Sequence, residues 1–217
     1  MLKESSHAIV FEAISPNTEG EIGAVLRDLQ ASEVDAVFAY DKPEPQGFFE
    51  WLMPTALGLW FLDKYFGGML GKAGEDHYEP LKAALSRLYG KVFGKSPVIS
   101  RVIRQAKGVV RPDVVFSGNM SLGYRSPEGW RARLLFPIDS APAQYELACA
   151  KFIGLVHEHC ADPQRSLLNA EVVAESEVQA DGLPPEIPAR ALRHSVNMVL
   201  FWDARTVRFM VADPAAT

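Results

Sequence analysis

The sequence predicts an α+β protein, and three patterns lead to this fold class. A strand–helix–strand pattern comes first, an apolar segment with helical spacing follows over residues 48–107, and two pairs of strands separated by a helix complete the chain. The composition, 48% hydrophobic and 23% charged, is that of an ordinary globular protein. At 217 residues we expect one domain, residues 1–217, with the helical segment as an insertion.

The strand–helix–strand unit is predicted from the first forty residues. Residues 9–14 and 34–40 are short apolar runs, typical of buried strands. Between them, Thr18 and Glu21 match a capping box with Thr18 as the N-cap, and apolar residues at helical spacing predict a helix over 18–31. So short a βαβ pattern predicts two parallel strands joined by a right-handed crossover.

The insertion is predicted to be wholly helical. Pro54 suits the first turn of a helix, which we predict over 54–72. Two acidic residues open a second helix near Glu75, whose apolar stripe lies beside basic residues. A third, short basic helix is predicted over 98–107. The first two helices together form an apolar and basic pair, which we call the helical hairpin, over residues 48–95.

The second half of the chain predicts two hairpins around one helix. Residues 116–124 alternate between apolar and small polar residues, which predicts a strand with one face in solvent, and 130–137 return after a turn. Asp139 and Ser140 suit the cap of a helix running to Cys160. Residues 161–188 stay ambiguous, and a terminal hairpin is predicted from strands at 196–202 and 206–211. All strands are expected in one mixed sheet.

Charge and cysteine content narrow the function classes. The net charge of −5 argues against general nucleic-acid binding, which needs a basic surface. Acidic residues dominate 1–41 and basic ones 42–111, a hint of a surface partner. Cys149 and Cys160 lie about three helical turns apart, too far for a disulfide, which suits a reduced compartment. With no apolar leader at the start, we expect a cytoplasmic protein.

Residues 48–70 raise the main functional question, because they hold two of the four tryptophans. Such a segment must be covered by the protein core, a partner or lipid. The apolar run 51–62 is well short of the roughly 20 residues that span a bilayer. The simplest alternative is packing on the sheet or in a homodimer interface, and a peripheral position on anionic lipid is the other. The candidate contact residues are Trp51, Trp60, Phe61, Phe66, Lys82, Arg87 and Lys91.

Other clusters carry weaker hypotheses. His157 and Cys160 are three apart on a helix and could share a zinc ion, but histidines near a helix C-terminus are commonly solvent-exposed, so we predict no metal site. Arg125, Arg131 and Arg133 with two aromatic neighbours, Tyr124 and Trp130, suit a binding face for single-stranded nucleic acid or an acidic peptide, but cross-strand pairing explains them without a ligand and is the preferred interpretation.

No nucleotide-binding glycine pattern or serine-nucleophile motif is present, so no cofactor is expected. His194, Asp203 and Glu186 could form an acid–base site, but no spacing selects them. The leading hypothesis is a non-enzymatic association module that self-assembles or binds a partner through the helical hairpin. The alternatives are attachment to an anionic membrane and a small enzyme with a site in a cleft.

Overall fold

The fold is one mixed β-sheet with helices packed on one face. The structure is a computed structural model that describes residues 8–13, 15, 17–40, 55–69, 73–94, 116–181, 188–203 and 206–211. Its strands are β1 (Ile9–Ala13), β2 (Ala36–Tyr40), β3 (Leu57–Leu62), β4 (Phe116–Arg125), β5 (Arg131–Pro137), β6 (Asn197–Asp203) and β7 (Arg208–Val211). Its α-helices are α1 (Thr18–Ala31), α2 (Asp63–Met69), α3 (Ala73–Phe93), α4 (Pro142–Ala161), α5 (Leu167–Ala180) and α6 (Ala189–Leu192).

The seven described strands lie in the order β2-β1-β3-β4-β5-β6-β7, which confirms the predicted α+β class and the single mixed sheet. β1 and β2 are parallel, as the βαβ pattern predicts. The predicted capping box is wrong, since α1 begins at Thr18, Asn17 precedes it as the N-cap, and no side chain caps it. Thr18 is instead buried.

A strand replaces much of the helix predicted over 54–72. β3 lies in the middle of the sheet, antiparallel to β1 and parallel to β4, and all six of its residues are buried. A strand covered on both faces needs an apolar residue at nearly every position, so its sequence lacks the two-residue alternation and resembles a buried helix. Helix begins only at Asp63. The helix predicted over 98–107 lies outside the described residues.

The main core fills the space between the sheet and its helices. Alternate side chains of the strands, such as Phe11, Leu59 and Leu122, meet apolar residues of helices α1 to α5 there. The opposite face of the sheet carries two smaller apolar clusters, one around Trp60 and one around Phe201. Charged side chains lie on this second face beside Trp60.

The β4–β5 hairpin is confirmed, but the expected wet face of β4 is wrong. Ser117 and Ser121 are only 2% and 1% exposed, so both faces of the strand are covered. The pairing of β4 with β5 also shifts between Phe116 and Ser121. That irregularity places Phe116 in the cluster with Leu135, on the face opposite to Met120.

The remaining predictions concern α4 and the C-terminal elements. α4 begins at Pro142 rather than near Asp139, and its two cysteines are unlinked. The ambiguous region contains α5, whose N-cap Ser166 accepts a hydrogen bond from the Asn169 N–H at 3.1 Å. β6 and β7 are antiparallel, which confirms the terminal hairpin. None of the described helices has the length and hydropathy needed to cross a bilayer.

Candidate functional site

The aromatic residues predicted to contact a partner lie inside this chain. Phe61 and Phe66 are fully buried on the helical side of the sheet, with ring centroids 5.8 Å apart, and Phe66 also meets Tyr124 at 6.2 Å. Trp60 is 3% exposed on the opposite face. Trp51 lies outside the described residues. The described rings therefore belong to the protein's own packing.

The predicted basic residues lie on α3. Lys82 and Arg87 are exposed, whereas Lys91 is half-buried. Arg87 forms an ion pair with Asp28 of α1, and the Ser86 hydroxyl donates to the Glu146 carboxylate of α4 at 3.0 Å. These contacts tie α3 to the helices on either side of it.

Trp60 is the centre of a buried charged cluster on the second face of the sheet. The guanidinium carbons of Arg125 and Arg133 lie 4.6 and 5.1 Å from its ring centroid, within the range of a cation–π contact. The ring covers Gly123, where a β-carbon would lie 2.2 Å from a ring carbon. Only glycine therefore fits beneath this tryptophan.

Glu12 supplies the negative charge of the cluster. It forms an ion pair with Arg125, and the two side chains are 16% and 13% exposed. Burial lowers the pKa of Arg133 to about 10, while the charge of Glu12 opposes that shift, so the guanidinium stays protonated at neutral pH. The Thr55 and Ser121 hydroxyls lie 2.8 Å apart at the rim.

The cavity beside this cluster has a volume of about 10 Å³, lined by Glu12, Thr55, Ser121 and Arg133 among others. That volume holds about one water molecule, so the cluster as it stands has no room for a substrate. The arginines and aromatic residues of the predicted binding face lie on opposite sides of the sheet, so they do not form one surface. Arg125 and Arg133 lie with Trp60, whereas Tyr124 and Trp130 belong to the main core, with ring centroids 5.3 Å apart.

A second polar cluster joins α2, β4 and α4. The Tyr124 hydroxyl donates to Asp63 at 3.3 Å, and the Cys160 sulfur lies 3.6 Å from both the Tyr124 hydroxyl and an Asp63 oxygen. Burial raises the pKa of the Tyr124 hydroxyl and raises that of the Cys160 thiol to about 11. Cys160 is therefore a protonated thiol at neutral pH and a poor nucleophile.

The histidine expectation needs a correction at His159. This side chain is buried, not solvent-exposed, and its ring lies 5.0 Å from Trp130. Its Nδ1 lies 2.7 Å from the Ser166 hydroxyl. Within the described ranges, no three His, Cys, Asp or Glu side chains are grouped as metal ligands.

The proposed acid–base residues are placed in different surroundings. His194 is exposed beside Gly129, while Asp203 is buried at the end of β6. Glu186 lies outside the described residues.

A groove that is open to solvent lies between α1 and β2. We call it the α1–β2 groove. It has a volume of about 690 Å³, and it is lined by Glu19, Gly20, Gly23, Leu26, Arg27, Gln30, Val37 and Phe38. None of the residues that line the groove belongs to a recognisable sequence motif, so the sequence alone does not predict this site.

Two glycines shape the wall that α1 contributes. A β-carbon at Gly20 would meet no atom within 4 Å, and one at Gly23 would meet only the Arg27 guanidinium at 3.5 Å. Packing within the described chain therefore does not require glycine at either position.

β2 forms the floor of the groove and is an edge strand of the described sheet. The Asp35 carbonyl accepts a hydrogen bond from the Ile9 N–H of β1 at 3.0 Å. Because successive residues of a strand direct their backbone groups to opposite sides, Ala36, Phe38 and Tyr40 turn theirs away from β1. The Gln30 side-chain amide donates to the Ala36 carbonyl at 2.9 Å.

Comparisons of this chain with protein-family models, with curated proteins and with solved structures found no match. The functional argument therefore rests on the geometry of the chain itself.

Proposed function

We propose that the protein acts by association, and that a protein partner occupies the α1–β2 groove. The observation that carries this proposal is the groove itself. Its volume of about 690 Å³ lies within the range of roughly 300–1,000 Å³ typical of binding sites, and its lining combines apolar with charged side chains. The cytoplasmic location expected from the sequence is part of the same proposal.

This proposal retains the hypothesis of association but assigns the binding surface to the α1–β2 groove instead of the helical hairpin. Phe61 and Phe66 are buried in the protein core, so a partner cannot contact them. Attachment to anionic lipid would need apolar side chains beside Lys82 and Arg87, and the described aromatic rings of this region face inward. The cavity beside Glu12 and Arg133 is too small for a substrate.

The glycines of α1 support the choice of groove. Glycine in a helix interior destabilises it by about 1 kcal/mol relative to alanine. Gly20 and Gly23 together weaken α1 without a packing reason among the described residues. A partner that approaches the helix closely would explain why the larger side chains are absent there.

The test fills the groove and asks whether binding is lost. Gly20→Phe places a ring in the groove, where a β-carbon would meet no neighbour, and Gly90→Phe is the matched control because Gly90 is an exposed glycine of α3 with the same free space. We would select peptide ligands for the wild-type protein from a random display library and measure their affinity for both variants by fluorescence anisotropy.

We expect Gly20→Phe to weaken the selected ligands at least about tenfold, and Gly90→Phe to leave them unchanged. Circular dichroism would verify that both variants are folded. Equal binding to both variants, or a failure to select any ligand, would contradict the proposal. Light scattering of the wild-type protein adds a second readout, because an oligomer that Gly20→Phe disperses identifies a second copy as the occupant.

A further inference from the structure

We infer that a second copy of this chain occupies the α1–β2 groove, related to the first copy by a two-fold axis that passes Gly23 of α1. The inference rests on the proposed function, because it identifies the protein partner at the same groove. Three features of the groove carry it: the symmetric spacing of its side chains on α1, the placement of one acid and one base there, and the outer edge of β2.

The α1 residues that line the groove are spaced symmetrically about Gly23. Two helices that pack antiparallel across a two-fold axis at Gly23 bring each residue before it opposite the residue that lies equally far after it in the other copy. Glu19 and Arg27 each lie four positions from Gly23. Gly20 and Leu26 each lie three positions from it. The groove therefore presents a self-complementary surface, which an interface between identical copies requires.

Glu19 and Arg27 supply the charges of this interface. Both side chains are exposed, and neither forms an ion pair with a residue that the structure describes. Across the axis, Glu19 of each copy meets Arg27 of the other, so the interface contains two equivalent contacts of opposite charge. The other acids of α1 do not oppose these contacts. Glu21 lies nearly opposite to Gly23 around the helix, and Asp28, on the same side as Glu21, is paired with Arg87 of α3.

The glycines allow the two α1 helices to approach closely. Gly23 has no side chain at the crossing point, and Gly20 leaves open space opposite Leu26 of the other copy. The helix of a βαβ unit lies over the two strands that it joins, and neighbouring strands are about 4.8 Å apart. A two-fold axis beside β2 therefore sets the two helices roughly 10 Å apart, which is close to the spacing at which helices pack.

The same axis brings the outer edge of β2 beside its own copy. β1 and β2 are parallel, so α1 runs opposite to β2, and antiparallel α1 helices imply antiparallel β2 strands. The Gln30 side chain ties the end of α1 to the Ala36 carbonyl at the start of β2. From that contact, Gly23 lies about 10 Å back along the helix and Ala39 about 10 Å along the strand. One axis can therefore pass both Gly23 and Ala39.

With Ala39 at the axis, Phe38 of each copy pairs with Tyr40 of the other. Both residues turn their N–H and C=O groups away from β1, and no described residue forms a hydrogen bond with these groups. Each Phe38–Tyr40 pair can exchange two main-chain hydrogen bonds and place its aromatic rings side by side. The pairing would also cover Tyr40, which is 49% exposed. The Ala36 carbonyl, which already accepts from Gln30, lies beyond this ladder.

Single charge reversals test the two ion pairs. Glu19→Arg or Arg27→Glu places like charges opposite each other at both contacts, so we expect either variant to raise the dimer dissociation constant at least about tenfold. Glu21→Arg is the matched control, because it makes the same change of charge on the far side of α1, and it should change the constant less than about twofold. Sedimentation equilibrium measures the constants, and circular dichroism verifies that each variant is folded.

A mixture of the two variants tests the symmetry of the interface. A heterodimer of the Glu19→Arg chain with the Arg27→Glu chain has opposite charges at both contacts, so the mixture should associate at least about tenfold more tightly than either variant alone. Native mass spectrometry counts the heterodimers and homodimers. A double variant that carries both changes in one chain should dimerise about as well as the wild type, because its contacts are reversed but still opposite in charge.

The β2 edge gives a separate readout by hydrogen exchange. The Phe38 amide should exchange at least about tenfold more slowly in the wild-type dimer than in the Glu19→Arg monomer, because the second copy accepts its hydrogen bond. A Phe38 amide that exchanges equally fast in both would overturn the placement of the axis. A wild-type protein that stays monomeric, equal constants for Glu19→Arg and Glu21→Arg, or a mixture that associates no better than its components would each overturn the inference.

The outcomes also separate this inference from the proposed function. A monomeric wild type whose library ligands are blocked by Gly20→Phe would overturn the second copy and leave the groove as the binding site for another protein. Library ligands and the second copy compete for one groove, so a bound ligand should dissociate the dimer. A dimer that forms regardless of Gly20→Phe would overturn the inference by placing the interface elsewhere. A monomeric wild type with no library ligand at the groove would remove both proposals together.

Discussion

At the scale of single residues, the position of Trp60 depends on the absence of side chains around it. Its ring lies over Gly123 and contacts the guanidinium groups of Arg125 and Arg133, and a β-carbon at Gly58 would lie 2.9 Å from its indole nitrogen. The ring therefore fills the space that two glycines leave on neighbouring strands. The Glu12–Arg125 ion pair beside it is largely buried, which strengthens that interaction.

Gly123→Ala should therefore destabilise the protein. The new methyl group would lie 2.2 Å from a rigid ring that the arginines hold in place, and such overpacking costs about 2 kcal/mol. Urea denaturation would measure the free energy of unfolding. Gly90→Ala is the control, and because nothing lies within 4 Å there, it should be neutral or add up to about 1 kcal/mol.

A double variant identifies the cause. Trp60→Leu removes the ring, so its combination with Gly123→Ala should be less destabilising than the sum of the two single changes. Additive effects would show that the alanine acts on something other than the tryptophan.

His159 makes stability depend on pH. The Ser166 hydroxyl donates to the Pro163 carbonyl at 3.1 Å and accepts the Asn169 N–H, so we assign the proton shared with His159 to Nδ1. A proton added at low pH then goes to Nε2 and places a charge in a buried ring. Burial accordingly lowers the pKa of His159 below 6.5.

The sign of the effect follows from this lowered pKa. The unfolded chain takes up a proton near pH 6.5 and the folded protein only at lower pH, so stability is retained above about pH 7 and lost as the pH falls through 6.5 toward the folded pKa. Urea titrations across this range would measure the loss. His159→Gln, which cannot titrate, should reduce it, and an unchanged pH profile in that variant would contradict the assignment.

At the scale of elements, the sequence is most informative where apolar residues recur at a regular spacing or a turn separates two strands. α1 and the strand pairs β4–β5 and β6–β7 have a clear period, and their positions were predicted to within a few residues. β3 has no period because both of its faces are covered, and no local signal separates it from a buried helix. Its neighbours β1 and β4 are far away in sequence, so its pairing is a property of the tertiary structure.

The candidate groove could not be predicted for a related reason. It is formed by the outer sides of α1 and β2, and none of its lining residues has chemistry that indicates a site by itself. The aromatic residues that the sequence suggests as partner contacts, Trp60, Phe61 and Phe66, instead pack around a central strand and the helix that follows it. The concentration of apolar residues in this segment is explained by the position of β3 in the middle of the described sheet.

At the scale of the whole molecule, stability should decrease from the middle of the sheet to its edges. β3 has partners on both sides and no exposed residue, whereas β2 and β7 each have one described partner and residues that are partly exposed. Amide groups in the centre can exchange with solvent only through global unfolding, while edge groups exchange through local opening.

Hydrogen exchange followed by NMR would measure this gradient. We expect the amides of Leu59 and Phe61 to exchange with the free energy of global unfolding, and those of Ala39, whose N–H faces β1, and Phe209 to exchange with a smaller one. Similar protection along all strands would contradict the gradient.

The strand order has a consequence for synthesis on the ribosome. From β3 to β7 the neighbours in the sheet follow the order of the chain, so each strand that emerges can join the one made just before it. The sheet can therefore extend toward β7 as the chain is made, and none of the described strands after β3 has to insert between two strands that are already paired. The three strands on the β2 side, β1 to β3, lie within residues 9–62, but α3, which packs against α1, follows them, so the α1–β2 groove gains its full support only after α3 has been made.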